Sequence, residues 1–338
     1  MTRFVVFLAA LILAGSGCAR SGVAAVPAAL TPATVPGSQG RVAPAIAASV
    51  RETIDGLKAY EAQVGFEATQ NFTAATGEAF PGRCYFTGIL ELPESYRQLR
   101  LSAAVDGKCR IDESEYDVFP YLLEVAATGR SPVTPALEGA ALERLLMVVP
   151  HEDFHNQPEV KRAPPAVAEA AATLVGYLAA AGFARQRYGP EAPLFQRLAL
   201  EGTLFLTKAR IVNEYFAQVA ATYGSYRDGR ISRDAALVSK RELFGGLLQG
   251  CSSSGPAPVS FNRCPPIMNN AGLAFDYTYT REYPMLFDFH VRLGGDISST
   301  VTALRQLLAR WPGGASSGLD LIETLRKMSP AAIQSPNQ

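Results

Sequence analysis

Between Ala163 and Ala184 the chain carries one charged residue, Glu169, in a run otherwise made of Ala, Pro, Val, Leu, Gly, Thr, Tyr and Phe. Pro164 and Pro165 open this run, and proline is accepted in the first turn of a helix. A helix so apolar is buried nearly all round, so the rest of the fold has to be built about it. An ionised carboxylate inside it is costly unless it is paired or coordinates a metal. Along the helix, Glu169 lines up with Thr173, Gly176 and Ala180, a stripe of small side chains that lets a second helix approach closely. The ordinary alternative is a first-turn glutamate facing solvent, where the helix dipole favours negative charge.

The segment just upstream gives that carboxylate a use. His151-Glu152-Asp153-Phe154-His155 spells H-E-x-x-H and holds two of the chain's three histidines. Imidazoles four residues apart on a helix share one face and can reach one metal, with the glutamate beside them as a general base. A catalytic zinc usually takes three protein ligands and keeps one position open. The third histidine, His290, stands far downstream in an aromatic stretch, where a packed imidazole is expected. Glu201 is a rival ligand, but Arg197, Lys208 and Arg210 offer it an ordinary salt bridge. Glu169 ranks first, and the expected zinc set is His151, His155 and Glu169. Zinc there would activate water and polarise a carbonyl, with Glu152 taking the water proton and passing it to the leaving amine. Tyr277, Tyr279 and Tyr283 are candidate donors to the oxyanion, although aromatics at helical spacing more often fill cores. Pro150 precedes the motif directly, and a proline inside a helix costs about 3 kcal/mol. Pro158 follows closely, so a kinked helix with both histidines still on one face is expected.

The first 18 residues resemble an export signal: Arg3, an apolar run from Phe4 to Ala14, then Gly15-Ser16-Gly17 before Cys18. A cysteine in that place suggests a lipoprotein signal, with Cys18 acylated and the protein held at a membrane in the cell envelope or periplasm. A plain secretory signal is the alternative. Residues 19–45 are rich in Ala, Pro, Val, Gly and Ser and read as a flexible tether. Four further cysteines in an exported chain suggest two disulfides, for which the local pairs Cys84–Cys109 and Cys251–Cys264 are favoured over the other pairings. With 31 basic and 31 acidic residues, the chain has no basic excess to suggest a nucleic-acid partner.

Residues 46–330 read as one mainly α domain. Helical periodicity is expected from about Ile46 to Tyr60, from about Ser114 to Ala127, and from about Pro135 into the histidine motif. Further helices are expected at about 164–184, 192–222, 232–249, 267–293, 297–310 and 317–328. A small irregular or strand-containing subregion stands near residues 80–112, where β-favouring runs alternate with turn residues such as Asp106-Gly107.

His151-Glu152-x-x-His155 followed by Glu169-Ala170-Ala171-Ala172-Thr173-Leu174-Val175-Gly176 resembles a family of bacterial predicted aminopeptidases, which pair H-E-x-x-H with a downstream N-E-x-x-A-T-x-V-G segment. Asn269-Asn270-Ala271, the aromatic segment through Tyr283-Pro284, and Leu293-Gly294-Gly295-Asp296 are similar to that family as well. Leu92-Pro93-Glu94-Ser95-Tyr96-Arg97 is similar less distinctively. The chain departs from the pattern at Asp153 and Phe154, where small or apolar residues are usual, and at Ala168, where asparagine is common. The resemblance implies a zincin-like helical metallopeptidase domain, action on peptides from the amino end, and frequent lipidation. Two functions of different class follow: a zinc peptidase with a peptide substrate, or an inactive envelope lipoprotein that keeps the fold to bind a peptide or partner.

Overall fold

In the computed structural model the apolar run forms α4, Pro165–Tyr188, with Pro165 in its first turn. The structure describes residues 45–125, 129–254, 268–310 and 323–324. The expected signal segment, nearly all of the tether, Cys18, and most of the helix expected at 317–328 lie outside them. Residues of α4 from Val167 to Ala184 are buried at almost every position, Glu169 included. Among the described residues it is the one helix long and apolar enough to cross a membrane, and 78% of its apolar window is covered by protein. It is the core.

Around it stand α1 (Ala48–Gln63), α3 (Leu142–His155), α5 (Pro193–Arg227), α7 (Asn270–Thr280), α8 (Tyr283–Arg292) and α9 (Ile297–Arg310). The short α2 (Pro135–Glu138) precedes α3, and α6 (Arg233–Ser252) packs on α5. The closest partner of α4 is α3, and the stripe of small residues explains why. A Cβ on Gly176 would stand 3.0 Å from the Met147 carbonyl oxygen and 3.3 Å from the His151 Cβ. Glycine therefore sets how near the histidine helix can come.

The described part is mainly helical with one three-stranded antiparallel sheet. Its strands are β1 (Arg83–Gly88), β2 (Arg100–Ala103) and β3 (Tyr116–Tyr121), in the order β2-β1-β3. The sheet lies where strands were expected but runs on to residue 121, and β3 overturns the helix expected over 114–127. Tyr116-Asp117-Val118-Phe119-Pro120-Tyr121 holds three aromatic residues and a valine, all favoured in strands, and Pro120 would break a helix interior. As an edge strand, β3 tolerates a residue with no N–H to give. The disulfide Cys84–Cys109 forms as favoured. Cys251 is disulfide-bonded too, and Cys264 lies outside the described residues.

Two expected helices are each two. The stretch from Pro135 breaks after α2 at Gly139, and the histidine helix starts afresh at Leu142. The stretch 267–293 divides between α7 and α8 at Arg281-Glu282, with Pro284 in the first turn of the second helix. A pair of asparagines docks the sheet onto α7. Asn269 caps that helix at the Gly272 N–H and donates to the Val118 carbonyl. Asn270 donates its backbone N–H to Asp117 of β3 and its side chain to the Ile89 carbonyl. Gly294 and Gly295, at φ of 81° and 72°, supply the left-handed turn between α8 and α9.

Candidate metal centre

The helix α3 continues through Pro150 and ends at His155, so both imidazoles sit on its last turns facing α4. Its terminal carbonyls are satisfied by the next two side chains: Asn156 donates to the Glu152 carbonyl and Gln157 to that of Asp153. Those caps hold the last turn in helical form just before Pro158.

Nε2 of His151 and Nε2 of His155 are 3.2 Å apart. Oε2 of Glu169, from the buried first turns of α4, lies 2.9 Å from the His155 Nε2 and 3.6 Å from the His151 Nε2. His151, His155 and Glu169 thus bring three ligand atoms within 4.8 Å of one another, and the group could hold a metal ion. Burial alone would raise the Glu169 carboxyl, but the two imidazoles outweigh it and hold it well below the usual carboxylate range. His155 shows the converse: burial pulls its pKa down, and Glu169 more than reverses that. The donor set suits a borderline metal: two imidazole nitrogens and one carboxylate oxygen converging from two rigid helices.

Glu152 sits next to this group. Its Oε2 is buried and, among the described residues, has no hydrogen-bond partner. Burial raises its pKa, partly offset by the neighbouring histidines. The other two residues of the motif turn away. Asp153 is fully buried and accepts hydrogen bonds from Lys58 Nζ at 2.6 Å, Thr69 Oγ1 at 2.5 Å and Asn71 Nδ2 at 2.8 Å. Phe154 packs edge-on against Phe66. Both side chains thus lie on the back of α3, away from the candidate ligands.

The other expected residues divide. His290 is buried and its Nδ1 lies 2.8 Å from Thr300 Oγ1, a packed imidazole between α8 and α9. Glu201 is buried on α5 and is not one of the converging group. Tyr277 stacks on Phe216, and Tyr283 donates to the Gly202 carbonyl from within the core. Tyr279 lies beside the site, its ring stacked at 6.4 Å on that of His151.

One polar partner escaped the sequence reading. Tyr96 donates its hydroxyl to Glu169 Oε1 at 2.9 Å, while its backbone N–H is held by Thr278 Oγ1. This leaves Oε2 of Glu169 turned towards the histidines, the kind of outer support that orients metal ligands. The sheet and α7 complete a cleft of about 190 Å³ over the group, with Tyr85, Tyr121, Phe275 and Tyr279 among its walls.

The chain matches no family model, no curated protein and no solved structure.

Proposed function

We propose that the chain is a zinc-dependent peptidase of zincin type acting in the cell envelope, held at a membrane by a lipid on Cys18. The observation that carries the proposal is the convergence of His151, His155 and Glu169 in the lining of a cleft, beside a Glu152 whose Oε2 has no hydrogen-bond partner among the described residues. His151 and His155 would hold the metal through Nε2, and Glu169 through Oε2. Zinc bound there supplies a Lewis acid for the scissile carbonyl and lowers the pKa of water.

The chain's own residues do the rest. Glu152 takes a proton at Oε2 from the water that adds to the scissile carbonyl, and returns it to the amine released as the C–N bond breaks; that oxygen has no hydrogen-bond partner among the described residues. Burial, which raises its pKa, brings it nearer the operating range of a general base. Tyr96 fixes the Glu169 carboxylate, and the aromatic side chains shape the cleft beside it. Supporting the envelope location is the disulfide Cys84–Cys109, which belongs to an oxidising compartment.

The test is hydrolysis of short unblocked peptides by the purified chain, before and after chelation. Activity that is lost with the chelator and returns with added zinc supports the proposal. Activity indifferent to chelation contradicts it.

A further inference from the structure

Among the described residues that line the cleft, Arg83 is the one Lys or Arg, while Arg97 stands close by and acts on Tyr96 and His155. Arg83 is half-buried, and among the described residues its guanidinium makes no ion pair or hydrogen bond. The other half-buried arginines among the described residues are all engaged: Arg51 with the Phe72 and Thr73 carbonyls, Arg144 with Glu124, Arg281 with Glu94 and Glu282, and Arg305 with Glu159. The strand register explains where Arg83 is aimed. It stands opposite Tyr121 of β3, and strand alternation puts it on the same face of β1 as Tyr85, the face that lines the cleft. Cys84 between them points the other way, tied to Cys109.

Guanidinium is a planar fork that matches a carboxylate in two parallel hydrogen bonds. Among the described residues the acidic linings of the cleft are Glu152 and Glu169, and Glu169 is already engaged by the two histidines and Tyr96. Arg83 and the candidate metal group line the same cleft of about 190 Å³, so a carboxylate held by Arg83 stands within a few residues of the bond to be cut. We propose that Arg83 binds the C-terminal carboxylate of a short peptide, so that the substrate class is small peptides with a free carboxyl end. This rests on the peptidase proposal for the same cleft and adds to it the feature by which substrate is chosen.

The experiment compares a fluorescently labelled tripeptide bearing a free carboxylate with its amide, as ligands of the metal-free full chain and as substrates of the zinc-loaded one. The free acid should bind about tenfold tighter, the scale of one charge-assisted contact. Arg83→Gln should weaken the acid alone, so that acid and amide bind equally, and Arg83→Lys should keep part of the preference. Thermal melting of both variants checks that the fold is intact. Equal binding of acid and amide by the wild type, no binding of the acid at millimolar concentration, or a preference that survives Arg83→Gln would overturn the assignment. A preference for the acid that is lost in Arg83→Gln, with neither peptide cleaved, upholds Arg83 and removes the peptidase proposal. Cleavage of both peptides with equal KM does the reverse.

Discussion

Glu152 and Asp153 are adjacent carboxylates on one helix, and they meet opposite surroundings. Asp153 faces α1 and the loop after it, where an ammonium, a hydroxyl and an amide all donate to it. Glu152 faces the cleft, where its Oε2 is buried and takes no hydrogen bond among the described residues. Burying a charge is tolerable when it is fully hydrogen-bonded and costly when it is not. The back of α3 is thus built to hold the helix in place, and the front keeps a carboxylate oxygen unoccupied. The contrast separates scaffold from site without reference to any motif.

That division can be broken from either side. The largest effect is expected at the front: Glu152→Gln should cut peptide hydrolysis by about 10²–10⁴-fold, the range for a lost general base. Metal content and melting temperature should stay unchanged, because the substitution keeps the shape. On the back, Asp153→Ala removes the buried acceptor shared by Lys58, Thr69 and Asn71 and should destabilise the fold by about 3 kcal/mol in denaturant titration. A stable Asp153→Ala protein with normal metal binding would mean that the network does not hold α3.

Smaller substitutions sharpen the comparison. Tyr96→Phe removes the hydroxyl that donates to Glu169 Oε1 and should weaken metal binding by about 10–100-fold in competition with a chelator, with the fold intact. Glu61, buried beside Asp153, tests the back face through pH. Burial first, then the Asp153 charge, raise its pKa well above the ordinary 4.5. Above pH 4.5 the unfolded chain has released this proton while the folded chain still holds it. Stability from this group therefore falls as pH rises from 4.5 towards the folded pKa. Glu61→Gln should flatten that slope and raise stability at neutral pH by about 1 kcal/mol, or a few degrees in melting temperature for a domain this large.

The helical core and the converging group were readable because each rests on a strong local rule. A run as apolar as Ala163–Ala184 can only be a core helix, and one charge inside it needs a partner. Histidines four apart on a helix share a face wherever that helix goes. The misreadings came where local pattern was ambiguous. Tyr116–Tyr121 is too short for periodicity to separate strand from helix, and the deciding residue was Pro120, tolerated only at a sheet edge. The split between α7 and α8 hangs on Pro284 in the first turn of a new helix. Arg83 and Tyr121 were not legible as cleft residues at all. They reach the site through strand pairing between segments more than thirty residues apart, and nothing in either segment announces the pairing.

The central claim is that His151, His155 and Glu169 form one metal site. The most direct test is the metal content of the purified full chain, wild type against Glu169→Ala, by elemental analysis with melting curves alongside. One equivalent of zinc in the wild type, lost in a Glu169→Ala protein that still folds, is the result this account predicts. A wild type without stoichiometric metal, or a Glu169→Ala variant that keeps its zinc at full affinity, would contradict it.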